Sequence, residues 1–230
     1  MPIPKTGLNG SQKERRSIKT STKNIHVNTK TKDLLIIFTR NPELGKVKTR
    51  LAKDVGDASA LEIYKFLLKH TVLITSELDV HKEVWFSEEI EKDQLWEDSV
   101  YSKKLQKGKD LGARMQYAFE AGFDNGFRNI IIIGSDMYDL ATEDLENAFS
   151  ILKNKEYVIG PAVDGGYYLL GMRNPEPKIF QNKQWGTSSV LRETLNDLKG
   201  KNIALTDLRN DVDLYEDIKD HEDFQKFFKK

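Results

Sequence analysis

The chain has 230 residues, 38% of them hydrophobic, which is enough for one sizeable buried core and one domain of roughly 200 residues. Its 36 basic and 36 acidic side chains balance, and it has no cysteine, which excludes disulfides, thiolate zinc sites and thiol nucleophiles. The histidines, His26, His70, His81 and His221, lack the paired spacing of a helical zinc site, and no apolar run approaches the ~20 residues of a membrane span.

The charge is unevenly placed. Residues 1–32 hold eight cations (Lys5, Lys13, Arg15, Arg16, Lys19, Lys23, Lys30 and Lys32) against Glu14 alone, which leaves 28 basic and 35 acidic side chains on the rest. An acidic body argues against nucleic acid as a partner, because phosphate-backbone binding needs a basic face. Residues 1–32 also carry eight Ser/Thr and no Phe, Tyr or Trp, so they are expected to be a disordered basic extension ahead of a domain over 33–230. Without an apolar secretory segment at the start, a cytoplasmic protein is expected.

From Asp33 onward, strand-like and helix-like segments alternate, the pattern of a parallel sheet covered by helices. "DLLIIFT" is the first strand. A helix is expected from about Ser59, where Ser59 and Glu62 have capping-box spacing. "EVWFS" at 83–87 is the second strand. Leu111, Met115, Phe119, Gly122 and Phe123 then define a helix that stops near Gly126. "NIIIIGSD" at 129–136 is the clearest buried strand, and a third helix starts at Thr142. "YVIGP" and "GYYLLGM" flank the "AVDGG" turn as an antiparallel pair. Another helix runs from Thr187 to Gly200, "NIALTD" is the last strand, and "DVDLYEDIKDHEDFQKFF" is expected to be an acidic terminal helix. The fold class is α/β, a single three-layer open and mainly parallel sheet, in which ligands bind beyond the carboxyl ends of the strands.

That edge is where the charged motifs fall. "TRNPELGKVKTR" leaves the first strand with Arg40, Lys46, Lys48 and Arg50, and Gly45 keeps its start from being helical, so the loop suits phosphate. It lacks the spacing of a Walker loop. Asp136 in "GSDMYDL" ends the most hydrophobic strand, and magnesium takes carboxylate oxygens beside phosphate oxygens, so Asp136 is the leading metal candidate. Asp211 and Asp213 follow the last strand, and Asp213 also has capping-box spacing to Glu216. Gly108, Asp110 and Gly112 sit at a helix start suited to a phosphate or a base edge, with Asp110 equally a plain N-cap. Asp164, Gly165 and Gly166 form a tight turn that a ligand could approach closely, and Trp185 is either a stacking platform or a lid over the core.

Taken in order, "FTRNPELGKVKTRLA", "QKGKDLGARM", "GSDMYDL", "GPAVDGGYYLLGM", "WGTSSVL" and "DVDLYEDI" resemble a family of uncharacterised GT-A-fold, glycosyltransferase-like proteins associated with radical-enzyme and arsenosugar gene clusters. The resemblance runs from Leu34 to about Ile218. It implies a nucleotide-diphospho-sugar-transferase fold, nucleotide phosphates on Arg40, Lys46, Lys48 and Arg50, and Mg2+ or Mn2+ at Asp136 with Asp213 or Asp211. The chain departs from the family at Tyr138, where a proline is usual, and at Leu214–Tyr215, where Thr-Pro is usual.

The expected activity is therefore a metal-dependent transferase with a nucleotide-activated donor, a glycosyltransferase using a nucleotide sugar and an unidentified small acceptor. Lys48, Arg50 and Asp136 are the expected catalytic residues. The alternative is a nucleotidyltransferase releasing pyrophosphate from an NTP, since "KTRLA" also resembles the loop of small guanylyltransferases; a non-catalytic nucleotide-binding protein is a third reading. A chain beginning near Thr31 is expected to unfold at the same temperature as the full chain, and a midpoint lowered by more than a few degrees would show that the extension is docked.

Overall fold

Leu34, Leu35, Ile36 and Ile37 are all 0% exposed, which consecutive strand residues reach only when both faces of the sheet are covered. They lie in β1 (Asp33–Thr39), near the centre of a seven-stranded sheet. The computed structural model describes residues 1–2, 32–92 and 95–228, so residues 3–31 of the expected basic extension lie outside the described residues. The other strands are β2 (His81–Phe86), β3 (Ser102–Leu105), β4 (Asn129–Ile133), β5 (Tyr157–Pro161), β6 (Tyr167–Met172) and β7 (Ile203–Leu205). They are ordered β3-β2-β1-β4-β6-β5-β7. All neighbours are parallel except that β6 runs antiparallel to β4 and β5, joined to β5 by the expected tight turn.

The helices are α1 (Ala52–Val55), α2 (Asp57–Thr75), α3 (Leu111–Asp124), α4 (Thr142–Leu152) and α5 (Val190–Asp197). Tyr64 and Leu68 of α2 and Leu145 and Phe149 of α4 pack with Leu35, Ile37 and Ile131 on one face. Met115 and Phe119 of α3 and the α5 residues Leu191 and Leu195 pack with Leu34, Ile36 and Ile130 on the other. Alternate residues of each strand thus serve opposite layers, which is the period-2 rule of a sheet covered on both sides. Among the described residues no helix is long and apolar enough to cross a membrane.

Several expectations shift. α2 begins at Asp57, so Ser59 lies inside it and its capping box with Glu62 does not form; Gly56 at φ +80 breaks α2 from α1 instead. β2 spans 81–86 rather than 83–87. β3 was not foreseen, because "SKKL" lacks apolar alternation; it is an edge strand, where lysines are common. β4 stops at Ile133, which leaves Asp136 in the loop beyond it. α5 starts at Val190, not Thr187, whose hydroxyl bonds back to the Gln184 carbonyl at 2.8 Å.

The acidic terminal helix does not form. Residues 215–217 and 222–227 are short 3-10 turns. The Asp217 carboxylate takes the amides of Asp213 and Leu214 at 2.9 and 2.6 Å, a local side-chain bond that competes with helix propagation and replaces the expected Asp213–Glu216 box. The segment is fixed instead by packing: Phe224 is 0% exposed against Phe66 and Tyr138, in a cluster with Leu51, Ile63, Val212 and Ile218. Phe224→Ala should therefore cost about 3–5 kcal/mol of stability in urea unfolding, and an unchanged midpoint would show that the segment is not docked.

Candidate active site

Strands β1 and β4 are adjacent and parallel, so the loops that leave them emerge side by side. The first loop carries Arg40 to Arg50, the second Gly134 to Asp136. Tyr64 of α2 joins them. Its hydroxyl accepts the Arg40 N–H at 2.9 Å and lies 3.1 Å from Thr39 Oγ1 and 3.2 Å from Ser135 Oγ. Burial pushes this phenol above its usual range, so it stays neutral.

Lys48 crosses the gap between the loops. Its Nζ donates to Asp136 Oδ2 at 2.8 Å with the lysine side chain only 6% exposed. Burial alone would lower the Lys48 pKa, but the charge and hydrogen bond of Asp136 hold it above the usual lysine value, with Asp211 and Asp213 adding. Burial would likewise raise Asp136, and Lys48 more than offsets it, so this carboxyl sits below the usual range and both partners are charged. Lys48 holds φ +48, a left-handed conformation uncommon for a side chain without a local turn role.

A second pair, Arg50 Nη1 to Asp213 Oδ2 at 2.6 Å, links the same loop to the C-terminal segment and is more exposed. The Val212 N–H donates to the Asp136 carbonyl at 3.3 Å, which sets the Asp211–Asp213 stretch against the β4 loop. Asp211 is pushed up to about 6, first by burial and then by the charge of Asp136; Lys48 opposes this, while Asp164 and Asp213 add to it.

Two cavities meet at Asp136. A cleft of about 800 Å3 is lined by Arg40, Lys46, Lys48, Arg50, Asp110, Ser135 and Asp213, and also by Arg114. A pocket of about 220 Å3 beside it is lined by Asp164, Gly166, Trp185 and Asp211. Phe38, Leu111 and Gly134 border both. The structure thus gathers most of the residues singled out in the sequence around one carboxylate.

The details differ from residue to residue. Lys46 is paired with Glu43 at 2.7 Å and Glu88 at 3.6 Å on the rim. Gly45 takes φ +73 at the turn of the loop. Asp110 is an N-cap, accepting from the Ala113 amide at 2.8 Å, and the residue also lines the cleft. Gly108 and Gly112 serve close packing: a Cβ at Gly112 would fall 2.5 Å from the Trp185 ring, and one at Gly108 2.7 Å from the Arg114 nitrogen. Gly165 at φ +87 lets the turn press on Ser188, and Asp164 accepts from the Gly166 amide at 2.8 Å.

Sequence reasoning missed Arg114 and Tyr64. Arg114 lies in the first turn of α3, where a cation opposes the helix dipole. That misplaced charge was the available signal. Arg40 and Arg114 line the cleft and form no ion pair among the described residues; Arg114 instead donates to the Gly108 carbonyl and to Gln106 Oε1, each at 3.3 Å, and the charge of Arg40 adds to that of Lys48 in lowering Asp136. Among the described residues no three His, Cys, Asp or Glu side chains stand gathered as a ready metal cage.

A family model described as "Uncharacterized protein conserved in bacteria (DUF2064)" matches residues 71–187. The matched span holds the Gly108–Gly112, Asp136 and Asp164–Trp185 stretches; the cationic loop precedes it. No curated protein matches the sequence. Among solved structures, a proposed nucleotide-diphospho-sugar transferase from Desulfovibrio desulfuricans G20 is similar with a TM-score of 0.76 and 28% identity, over 85% of this chain and 91% of that one. A cytidylyltransferase from Leptospira borgpetersenii serovar Hardjo-bovis (strain JB197) has a TM-score of 0.53 at 15% identity, over 81% of this chain and 83% of that one, and shares the fold alone. The sheet is that of the nucleotide-diphospho-sugar transferases.

Tyr64→Phe would leave the Arg40 amide and the Ser135 hydroxyl without their shared partner in a buried site. It is expected to lower stability by about 1–3 kcal/mol in denaturant unfolding, and an unaltered midpoint would show that this hydroxyl does not tie the loops.

Proposed function

The chain belongs to the DUF2064 family, and we propose that it is a metal-assisted transferase that takes its group from a nucleotide sugar. The observation that carries this reading is the position of Asp136, at the junction of a cation-lined cleft and a smaller aromatic pocket. Donor phosphates belong in the first and the receiving molecule in the second. A nucleotide-utilising transferase agrees with the fold.

Arg40 and Arg114 offer the diphosphate guanidiniums that form no ion pair among the described residues. Lys48 and Arg50 join them by exchanging carboxylate for phosphate oxygens, a swap between charge-assisted bonds of similar kind. As the bond from the sugar to the diphosphate breaks, its electron pair leaves on a phosphate oxygen, where these preplaced cations stabilise the growing charge. The receiving oxygen bonds the sugar carbon, and its proton passes to the carboxylate of Asp164, which lines the pocket.

A divalent ion fits the carboxylates that remain. Asp136, Asp211 and Asp213 are hard oxygen donors, and the upward push on Asp211 by burial and by its neighbours' charge marks an excess of negative charge that a cation would relieve. Magnesium or manganese there would supply further charge neutralisation to the leaving phosphates. With no ready three-ligand cage among the described residues, Asp136 with Asp213 or Asp211 would hold the ion only together with the nucleotide's phosphates, so metal and nucleotide would bind cooperatively.

A second reading, nucleotidyl transfer from an NTP, is favoured by one observation: five cationic side chains, Arg40, Lys46, Lys48, Arg50 and Arg114, border one cleft, enough to meet a triphosphate. Pooled nucleotide sugars and NTPs with Mg2+ or Mn2+, followed by mass spectrometry, separate the readings by release of nucleoside diphosphate or of pyrophosphate. Lys48→Ala should weaken nucleotide binding by about 10- to 150-fold, the value of a lost charge-assisted bond. Asp136→Asn should abolish the enhancement of nucleotide binding by Mn2+ in titration calorimetry. Equal enhancement in the parent and in Asp136→Asn would remove this residue from the metal site.

A further inference from the structure

We infer that the molecule receiving the transferred group is a compact, largely apolar alcohol that carries no negative charge and binds best when it carries a positive one. The inference rests on the reading of the cleft as the nucleotide site and names the substrate class of the pocket beside it. That pocket has walls built from Phe38, Met115, Tyr168 and Trp185. Its charged lining consists of Asp136, Asp164 and Asp211, and no Lys, Arg or His of the described residues borders it. The neighbouring cleft is lined by five cations together with Glu88, Asp110, Asp136 and Asp213, so the balance of charge passes from slightly positive to negative across Asp136.

That change sorts ligands. An anion entering the pocket loses hydration among three carboxylates and gains no counter-ion, whereas an ammonium meets both carboxylates and aromatic faces. A bound dication does not invert the preference, because the donor's own phosphate charges neutralise it. The volume of about 220 Å3 admits a single small ring or short aliphatic molecule. The wall is firm on the Trp185 side, since the indole rests against Gly112, where a Cβ would come within 2.5 Å of the ring. A phosphorylated nucleophile, as many nucleotidyl transfers require, finds no cation here. The pocket therefore supports the sugar-transfer reading over the alternative.

The test uses the full chain and four probes of one shape: 2-phenylethylamine, 2-phenylethanol, phenylacetate and phenyl phosphate. Dissociation constants come from ligand-observed NMR. The amine should bind most tightly, the alcohol next, and both anions about tenfold or more below the amine, from charge alone. Trp185→Ala should weaken the amine about threefold or more. Asp164→Asn, which keeps an acceptor for the Gly166 amide, should narrow the gap between amine and anions. An anion that binds as tightly as the amine, or amine binding that Trp185→Ala leaves unchanged, overturns the inference. Uridine and guanosine diphosphates titrated into the same proteins report the cleft separately and show that the variants are folded. A charge-sorting pocket without nucleotide binding would sink the donor reading alone, and nucleotide binding with an anion-tolerant pocket would sink this inference alone.

Discussion

The contact between Lys48 and Asp136 is where the rest of the site is anchored. Taking the Lys48 ammonium, only 6% exposed, out of water is costly, and the pair persists because Asp136, itself 35% exposed, meets it at hydrogen-bond distance. Removing Asp136 would leave a buried ammonium uncompensated. The cost of forming it is met by a loop whose course is otherwise fixed: Tyr64 ties Arg40 to Ser135, and the parallel register of β1 and β4 brings the two loops out together. The left-handed backbone of Lys48 is the local strain that this frame sustains.

The same pair sets a cation against a carboxylate at the edge of the cleft, and Arg50 with Asp213 repeats the arrangement, while Arg40 and Arg114 form no ion pair among the described residues. Under the proposed function, an arriving phosphate chain would take the place of the carboxylates on Lys48 and Arg50 and leave Asp136 and Asp213 open to a cation, so nucleotide and metal binding would be coupled. Asp136 also divides the site by charge, with cations on one side and carboxylates among aromatic rings on the other.

Much of this was legible in the sequence because it follows from local rules. "DLLIIFT" and "NIIIIGSD" announced buried strands, and the carboxyl-end rule for α/β sheets then placed Arg40–Arg50 and Asp136 on one edge before any coordinates. What escaped depends on contacts between distant segments. "SKKL" joined the sheet through its neighbour β2 rather than through its own pattern. Gly108 and Gly112 read as ligand contacts, yet their lack of a side chain serves Arg114 and Trp185. Nothing local to Tyr64 marks its hydroxyl as a tie, and only the fold shows it between two loops. The acidic terminal stretch had helical spacing, but Asp217 claimed the amides of Asp213 and Leu214 and diverted the chain.

That diversion matters for the site. A continuous helix from Asp211 would bury one stripe and point its acidic residues outward, whereas the observed path keeps Val212 buried between the two aspartates that flank it. Val212 belongs to the cluster that contains Phe224, Leu51 and Ile63, so the position of Asp211 and Asp213 is set by hydrophobic packing on the outer side of α2. Tyr138 completes that arrangement. It stands two residues beyond Asp136, packs in tilted contact with Phe66 and His70 and edge-to-face with His221 and Phe224, and donates to Asp223 at 2.5 Å. A proline there could make none of these contacts with the C-terminal segment. The residue in which this chain departs from the resembling family therefore fastens the strap that carries two carboxylates to the site, and the placing of Asp211 and Asp213 beside Asp136 depends on an aromatic cluster that does not line the cleft.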